Sequence, residues 1–339
     1  MNAPLSLRDA RLLIIGINGF VGCHLAAVAR HSSAQIMGVT LPFDTLRAER
    51  IRVSLNAGNI PIHETEHLTA EGLREVILKW KPDAVLHVAG YTKRDNHPSA
   101  WVHAIEGNVL LTAQVVGALL EIPQDRRPVL IMPGSQLEYG LASAPWTEDT
   151  SPLPTSPYGT SKFMTSELVQ AVTRTHQLRA SVIRFPLAFG PGQYPVMFVS
   201  ELICKIMQGS PFPMTMGLQR RRFIYVADMA RFMLHIAVKA MNGEHVPSLL
   251  NGPASHPTPL IDVANQLITL LNASFGQLQV GTLPSRLNEP RDMWPDTSRA
   301  DSRYEFPITP LSDALSSTVS WYTDNKWFID SITFATSSG

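Results

Sequence analysis

Leu12-Leu13-Ile14-Ile15-Gly16-Ile17-Asn18-Gly19-Phe20-Val21-Gly22 is the stretch that decides the fold. A short apolar run ending in glycine reads as a buried strand. Residues 20–30 then take helical spacing. The glycines therefore lie between a strand and a helix, the context that gives such a motif meaning. The first permits a tight turn, the second lets backbone approach a pyrophosphate, and the third lets helix and strand pack closely. The helix N-terminus favours the phosphate charge. The spacing is G-x-x-G-x-x-G rather than G-x-G-x-x-G.

The same alternation continues outward. Residues 35–40, 84–88, 129–132 and 180–184 read as strands, and 73–80, 101–120 and 158–176 as helices. Strands alternating with helices imply βαβ units and a parallel sheet. The expected fold class is α/β, a Rossmann-like doubly wound parallel sheet that binds ligand at the carboxyl ends of its strands. Beyond Pro186 the pattern changes. Pro191, Pro195, Pro211 and Pro213 punctuate shorter elements, with helical spacing at 201–208, 226–239 and 260–271. The expected organisation is a dinucleotide-binding domain over 1–185 and a mostly substrate-binding part over 186–339, partly interleaved with the sheet.

Composition excludes several classes. Hydrophobic residues are 45% and charged residues 17% of the 339, which is globular rather than disordered. Formal net charge is zero, and Arg220-Arg221-Arg222 is the only basic cluster, so no nucleic-acid or anionic-membrane footprint is expected. No segment reads as a membrane span or as a signal core. Cys23 and Cys204 sit far apart in apolar surroundings and read as reduced core thiols of a cytoplasmic protein.

Tyr158 and Lys162 are one helical turn apart and share a face. A free phenol, with a pKa near 10, is too weak an acid for easy proton exchange at neutral pH. A neighbouring ammonium and a cationic nicotinamide ring favour the phenolate. Such a tyrosine can exchange the substrate hydroxyl proton while the cofactor handles hydride.

The ordered set resembles the extended short-chain dehydrogenase/reductase family, in its NAD(P)-dependent epimerase/dehydratase/reductase branch. The resemblance runs through Gly16-x-x-Gly19-Phe20-x-Gly22, His87-Val88-Ala89-Gly90, Asn108-Val109, Ser135…Tyr139-Gly140 and Tyr158-Gly159-x-Ser161-Lys162. It continues in Gly190-Pro191-Gly192, Arg221-Arg222-Phe223-Ile224-Tyr225-Val226-x-Asp228 and Asp296-x-Ser298-Arg299-Ala300. It implies Ser135 as the hydrogen-bonding serine, Tyr158 as the acid/base, and Lys162 as the ribose ligand that lowers the tyrosine pKa. It implies cofactor contacts from Gly16, Asn18, Gly19, Phe20, Val21, Gly22, Thr40, Arg47, Val88, Ala89, Gly90, Tyr158, Lys162 and Phe185. Substrate contacts fall on Thr92, Gln136, Leu187, Arg221 and Arg291. The helices over 101–120 and 158–176 match those of the family's four-helix dimer interface, so a homodimer is expected.

Subtype turns on a few positions. The family's 4,6-dehydratases carry an acid just after the Ser/Thr, because eliminating water needs its own acid and base. Here Gln136 and Leu137 follow Ser135, and Glu138 matches the Ser-x-x-Glu-Tyr-Gly of 4-keto reductases. The reading is a 4-keto reductase of a nucleotide-linked sugar, or an epimerase working through a transient 4-keto sugar. Dehydration ranks low. Leu187 stands where the family often has a diphosphate-binding Asn, and Glu289-Pro290-Arg291-Asp292 replaces a late Arg-Pro-x-Asp. These changes support the alternative, a reductase or dehydrogenase of a small non-sugar ketone or alcohol. Arg220, Arg286 or Arg291 could compensate. A non-catalytic dinucleotide sensor is a third reading, disfavoured because both Tyr158 and Lys162 are present.

At the end of the second strand, where NAD-preferring chains place an acid, stands Thr40, and Asp44 comes later. Arg47 and Arg50 lie near enough for a 2′-phosphate. NADP(H) is favoured, with NAD(H) as the alternative. His63-Glu64-Thr65-Glu66-His67 matches a zinc-protease signature, but Pro61 precedes it and the segment falls at the third strand rather than on a helix. No metal site is expected.

Overall fold

The computed structural model describes residues 6–8, 10–41, 45–93, 97–284 and 291–332. Six strands come from the first 185 residues: β1 (Arg11–Ile15), β2 (Gln35–Thr40), β3 (Ile62–Glu64), β4 (Ala84–His87), β5 (Val129–Ser135) and β6 (Ala180–Phe185). A seventh, Leu249–Asn251, comes from the second half and pairs with β6. Across the sheet the order is Leu249–Asn251, β6, β5, β4, β1, β2, β3. Every pairing is parallel. The chain order reverses between β1 and β4, the switch point at which doubly wound sheets bind ligand.

Side chains alternate across the strands, so each face needs its own cover. Leu12, Ile14, Leu86, Ile131 and Ile183 pack under the α1 helix (Phe20–His31) and the Val226–Met241 helix, against Leu25, Ala26, Phe232 and Met233. Leu13, Ile15, Val85, Leu130 and Val182 face the other way, against Leu73, Ile77, Val115, Leu119 and Val169. A further core is built mostly after residue 186, from Leu202, Ile203, Phe212, Val263, Leu267, Leu315 and Tyr322. Cys23, Ala48 and Ile51 of the first half enter that same core.

Two elements differ from expectation in ways that position the site. β5 continues past Met132 through Pro133 and Gly134 to Ser135, so the serine is the last residue of a central strand. The helix expected at 101–120 begins at Pro98 and carries a π-helical stretch, Ile105–Leu110, around Asn108. A single wide turn of this kind re-aims side chains and often marks a functional site. By length and composition Pro98–Leu120 is also apolar enough to cross a membrane, contrary to the expectation that no segment would be. Its apolar excess has a physical cause in two faces. Ala104, Val115, Val116, Ala118 and Leu119 are buried, while Trp101, Val102 and Leu110 are exposed.

Candidate active site

The glycine turn is shaped by contact rather than by flexibility alone. Gly16 has φ +92°, and a Cβ there would lie 2.5 Å from the Ala89 nitrogen. At Gly22 a Cβ would lie 2.1 Å from the Gly16 carbonyl oxygen. Strand and helix therefore touch backbone to backbone. The Gly16 N–H donates to the Val39 carbonyl at 2.8 Å, and Gly19 caps α1 without a side-chain bond. The first turn, beginning Phe20-Val21, carries no acidic residue. Its N–H groups are the open donors that a phosphate satisfies. Val88 and Ala89 at the end of β4 both donate to the Ile15 carbonyl at 2.9 Å, closing the other side.

Gly90 leads into a bridge made by Asn108. The Tyr91 N–H donates to Asn108 Oδ1 at 2.9 Å, and Asn108 Nδ2 donates to the Ser161 Oγ at 2.8 Å. A Cβ on Gly90 would lie 2.5 Å from Asn108 Oδ1. In the sequence Asn108 stands out only as part of the Asn108-Val109 motif. The structure makes it the link between the loop after β4 and the helix that carries Tyr158.

That helix, Pro157–His176, is capped by Ser156, whose Oγ accepts from the Gly159 N–H at 3.1 Å. Tyr158 and Lys162 occupy its first turns, both half-buried. Lys162 Nζ donates to the Pro133 carbonyl of β5 at 2.6 Å, which sets it beside the strand end that holds Ser135. A Cβ on Gly159 would lie 2.6 Å from the Leu137 carbonyl, so this glycine lets the helix start abut the turn after Ser135. The structure thus brings the Ser135 strand end and the Tyr158–Lys162 helix together. Burial pulls the Lys162 pKa below the ordinary lysine value, and the Glu138 charge opposes that shift. His87, buried behind it, is held neutral, its pKa lowered to about 3 by burial and then by the Lys162 charge.

Glu138 does not face the cleft. It is wholly buried, and its carboxylate accepts from the Ser135 N–H, the Ser166 hydroxyl and the Arg184 Nε, each at 2.7 Å. Arg184 also lies 4.5 Å over the Tyr139 ring. Tyr139 donates to Asn251 Oδ1 at 2.7 Å and stacks on Trp146. The nearest carboxylate to Ser135 is therefore a positioning group.

The remaining expected residues are placed less simply. Phe185 sends its ring into the core, edge-on to Phe232 at 6.4 Å, which leaves only its main chain at the strand end. Thr40 is buried, its hydroxyl donating to the Leu41 carbonyl at 2.9 Å. Arg47 lies over Tyr194 at 5.4 Å and Arg50 over Trp327 at 3.9 Å. The arginine that reaches the glycine turn is Arg52, which donates to Asn18 Oδ1. Its signal was a charge inside the buried stripe Ala48, Ile51, Arg52 of the α2 helix (Thr45–Ser54).

On the substrate side Thr92 is exposed and Leu187 half-buried. Gln136 is 3% exposed, and its Oε1 has no partner among the described residues. Arg221 is buried and donates to the Arg220 and Arg291 carbonyls at 2.8 and 3.1 Å. Arg220 forms a two-pronged ion pair with Asp292 at 2.9 and 2.6 Å. Arg291 is exposed. Asp44, Arg286, Glu289 and Pro290 lie outside the described residues. His63 and Glu64 stand exposed on strand β3, and His67 is exposed beyond it, without the helical face a zinc site of that type needs. Both cysteines are buried and free, their thiol pKa values pushed up to about 11 and about 12 by burial.

Comparison with known proteins agrees with this fold. The model of the NAD dependent epimerase/dehydratase family matches residues 12–249. A dTDP-glucose 4,6-dehydratase of Neisseria gonorrhoeae is 25% identical, over 93% of this chain and 96% of the relative. A UDP-glucuronate 4-epimerase of Thermodesulfobacterium geofontis is 24% identical, over 94% and 98%. Among solved structures, UDP-glucuronic acid 4-epimerase from Bacillus cereus, in complex with UDP-glucuronic acid and NAD, superposes with TM-score 0.76 at 23% identity. That match covers 93% of this chain and 99% of the other.

Proposed function

Because this chain belongs to the NAD dependent epimerase/dehydratase family, we propose that it is a reductase or epimerase of a nucleotide-linked 4-keto sugar. The observation that carries this reading is the docking of the Tyr158–Lys162 helix onto the strand end at Ser135, beside the glycine turn. The residues present fit a dinucleotide, since the cradle at Gly16 and Gly22 has no room for a Cβ. A bound nicotinamide supplies or accepts hydride. Tyr158 exchanges the hydroxyl proton at the reacting carbon, Ser135 hydrogen-bonds the same oxygen, and Lys162 favours the phenolate.

Named relatives include dehydratases as well as epimerases. The reductase or epimerase reading is supported by the local chemistry. Glu138 is consumed by Ser135, Ser166 and Arg184, and Gln136 and Leu137 carry no ionisable group. Leu187 and the main-chain bonds of Arg221 favour one alternative, a smaller non-sugar ketone as substrate. NADP(H) is the proposed cofactor, with NAD(H) the alternative, because Thr40 rather than an acid ends β2. A homodimer is proposed through the exposed apolar residues Trp101, Val102, Leu110 and Met164.

The test offers the purified protein dTDP-, UDP- and GDP-linked hexoses and their 4-keto-6-deoxy forms with NADPH or NADH, followed by mass spectrometry. A reductase consumes reduced cofactor in step with a 4-keto sugar. An epimerase inverts a sugar with no net oxidation. Steady loss of water from a 6-hydroxy sugar overturns the reading.

A further inference from the structure

Arg52 sits in the last turn of α2 and is 6% exposed. The other inward residues of that helix are Ala48 and Ile51. Its guanidinium donates to Asn18 Oδ1. Cys23 beside it is a neutral thiol, with a pKa near 11 that burial maintains. Among the described residues no carboxylate pairs with Arg52. A buried guanidinium without a counter-ion is unfavourable, because desolvation is not repaid by Coulomb attraction. Asn18 adds a second anomaly, a buried Nδ2 with no partner.

Both groups lie at one place. Asn18 is between Gly16 and Gly19 in the glycine turn. α2 follows β2, whose carboxyl end faces the cofactor's adenosine ribose in doubly wound sheets. A cation reaching from α2 to that turn is at the end of the sheet where such folds hold the phosphates of a dinucleotide. We propose that Arg52, steadied by Asn18, forms a phosphate subsite for the dinucleotide, and that the missing counter-ion is supplied by the cofactor. This rests on the nicotinamide-dependent reading above. Arg47 and Arg50, the arginines that sequence alone favoured for this task, lie instead over aromatic rings.

The test compares the wild-type chain with Arg52→Met, which keeps length and removes charge, and Arg52→Lys, which keeps charge and removes the fork. Binding of NADPH, NADH and 2′,5′-ADP is titrated at low and high salt, and thermal unfolding is followed without ligand. Arg52→Met is expected to weaken NADPH by about 10-fold or more, the scale of a charged hydrogen bond. It is also expected to flatten the salt dependence of binding. Its ligand-free melting temperature should hold or rise, because an unpaired buried charge has gone. A purely structural Arg52 would instead lower the melting temperature and leave affinity alone. Loss for NADPH and 2′,5′-ADP with NADH unchanged assigns the subsite to the 2′-phosphate. Equal loss for NADPH and NADH assigns it to the pyrophosphate. If Arg52→Met does not fold, Arg52→Lys should still bind NADPH more weakly than wild type while keeping the salt dependence. Wild-type affinity for all three probes in a folded variant overturns the proposal. Failure of the wild-type chain to bind any of them overturns the underlying reading as well.

Discussion

Three arginines are buried beside this cleft, Arg52, Arg184 and Arg221, and the first two are not in the same situation. Arg184, 1% exposed, holds Glu138 at 2.7 Å and lies over Tyr139. Arg52, 6% exposed, has an amide oxygen and a neutral thiol beside it. On the Ser135 side the chain supplies its own counter-charge, so the geometry is complete before any ligand arrives. On the glycine-turn side a charge is left for something else to complete. A buried ion pair is weak evidence of net stability, but breaking one by removing a partner is costly. The difference teaches that buried charge should be sorted by whether its partner is part of the chain.

The largest expected effect tests the closed side. Glu138→Ala leaves the Arg184 guanidinium buried without its partner and removes acceptors from Ser135 and Ser166. It should lower unfolding free energy by about 3–5 kcal/mol, measured by urea denaturation. Arg52→Met, by the same measurement, should not. If both variants lose stability equally, the two arginines are alike and the contrast collapses.

Next in size is a change that should leave both arginines untouched. Tyr158→Phe removes the proposed acid/base and none of the hydrogen bonds of Glu138 to Ser135, Ser166 and Arg184. It should cut kcat by about 10²-fold or more while binding cofactor nearly as well. Lost cofactor binding would mean that the phenol belongs to the ligand-completed side. Full activity would mean that the acid lies elsewhere.

How much of this was legible follows the same division. The glycine turn could be read from sequence because backbone contacts forbid a Cβ, and only glycine satisfies that. The parallel sheet was legible from apolar runs at regular distance. Leu249–Asn251 was not, since a three-residue strand gives periodicity too little length. Ser135, Tyr158 and Lys162 were found as ordered motifs, and the structure joins them through the Gly159 and Pro133 contacts. Glu138 was read beside its motif but not as a partner of Arg184, 46 residues away. Nothing in the sequence separates Arg52 from Arg47 and Arg50, because helix period shows a face but not what that face meets. Side-chain charges find partners through tertiary geometry, which spacing along the chain does not encode.

The smallest expected effect concerns another buried titratable group, one that needs no counter-charge because it stays neutral. His24, on α1 beneath the glycine turn, is hydrogen-bonded through Nε2 to the Pro191 carbonyl at 2.9 Å. Burial lowers its pKa from 6.5 to about 4. As pH falls below 6.5 the unfolded chain takes up a proton that the folded chain refuses until about 4. Stability is therefore full above 6.5 and is lost on acidification through that window. At pH 5 the loss from this group alone should be about 2 kcal/mol. His87, lowered to about 3, adds a second loss of the same sign. His24→Gln keeps a donor for Pro191 and cannot take up the proton. Urea denaturation at pH 7.5 and pH 5 should show the variant losing about 2 kcal/mol less than wild type on acidification. Equal losses would mean that His24 accepts its proton in the folded state, and that this side of the glycine turn tolerates one more unpaired charge than Arg52 already brings.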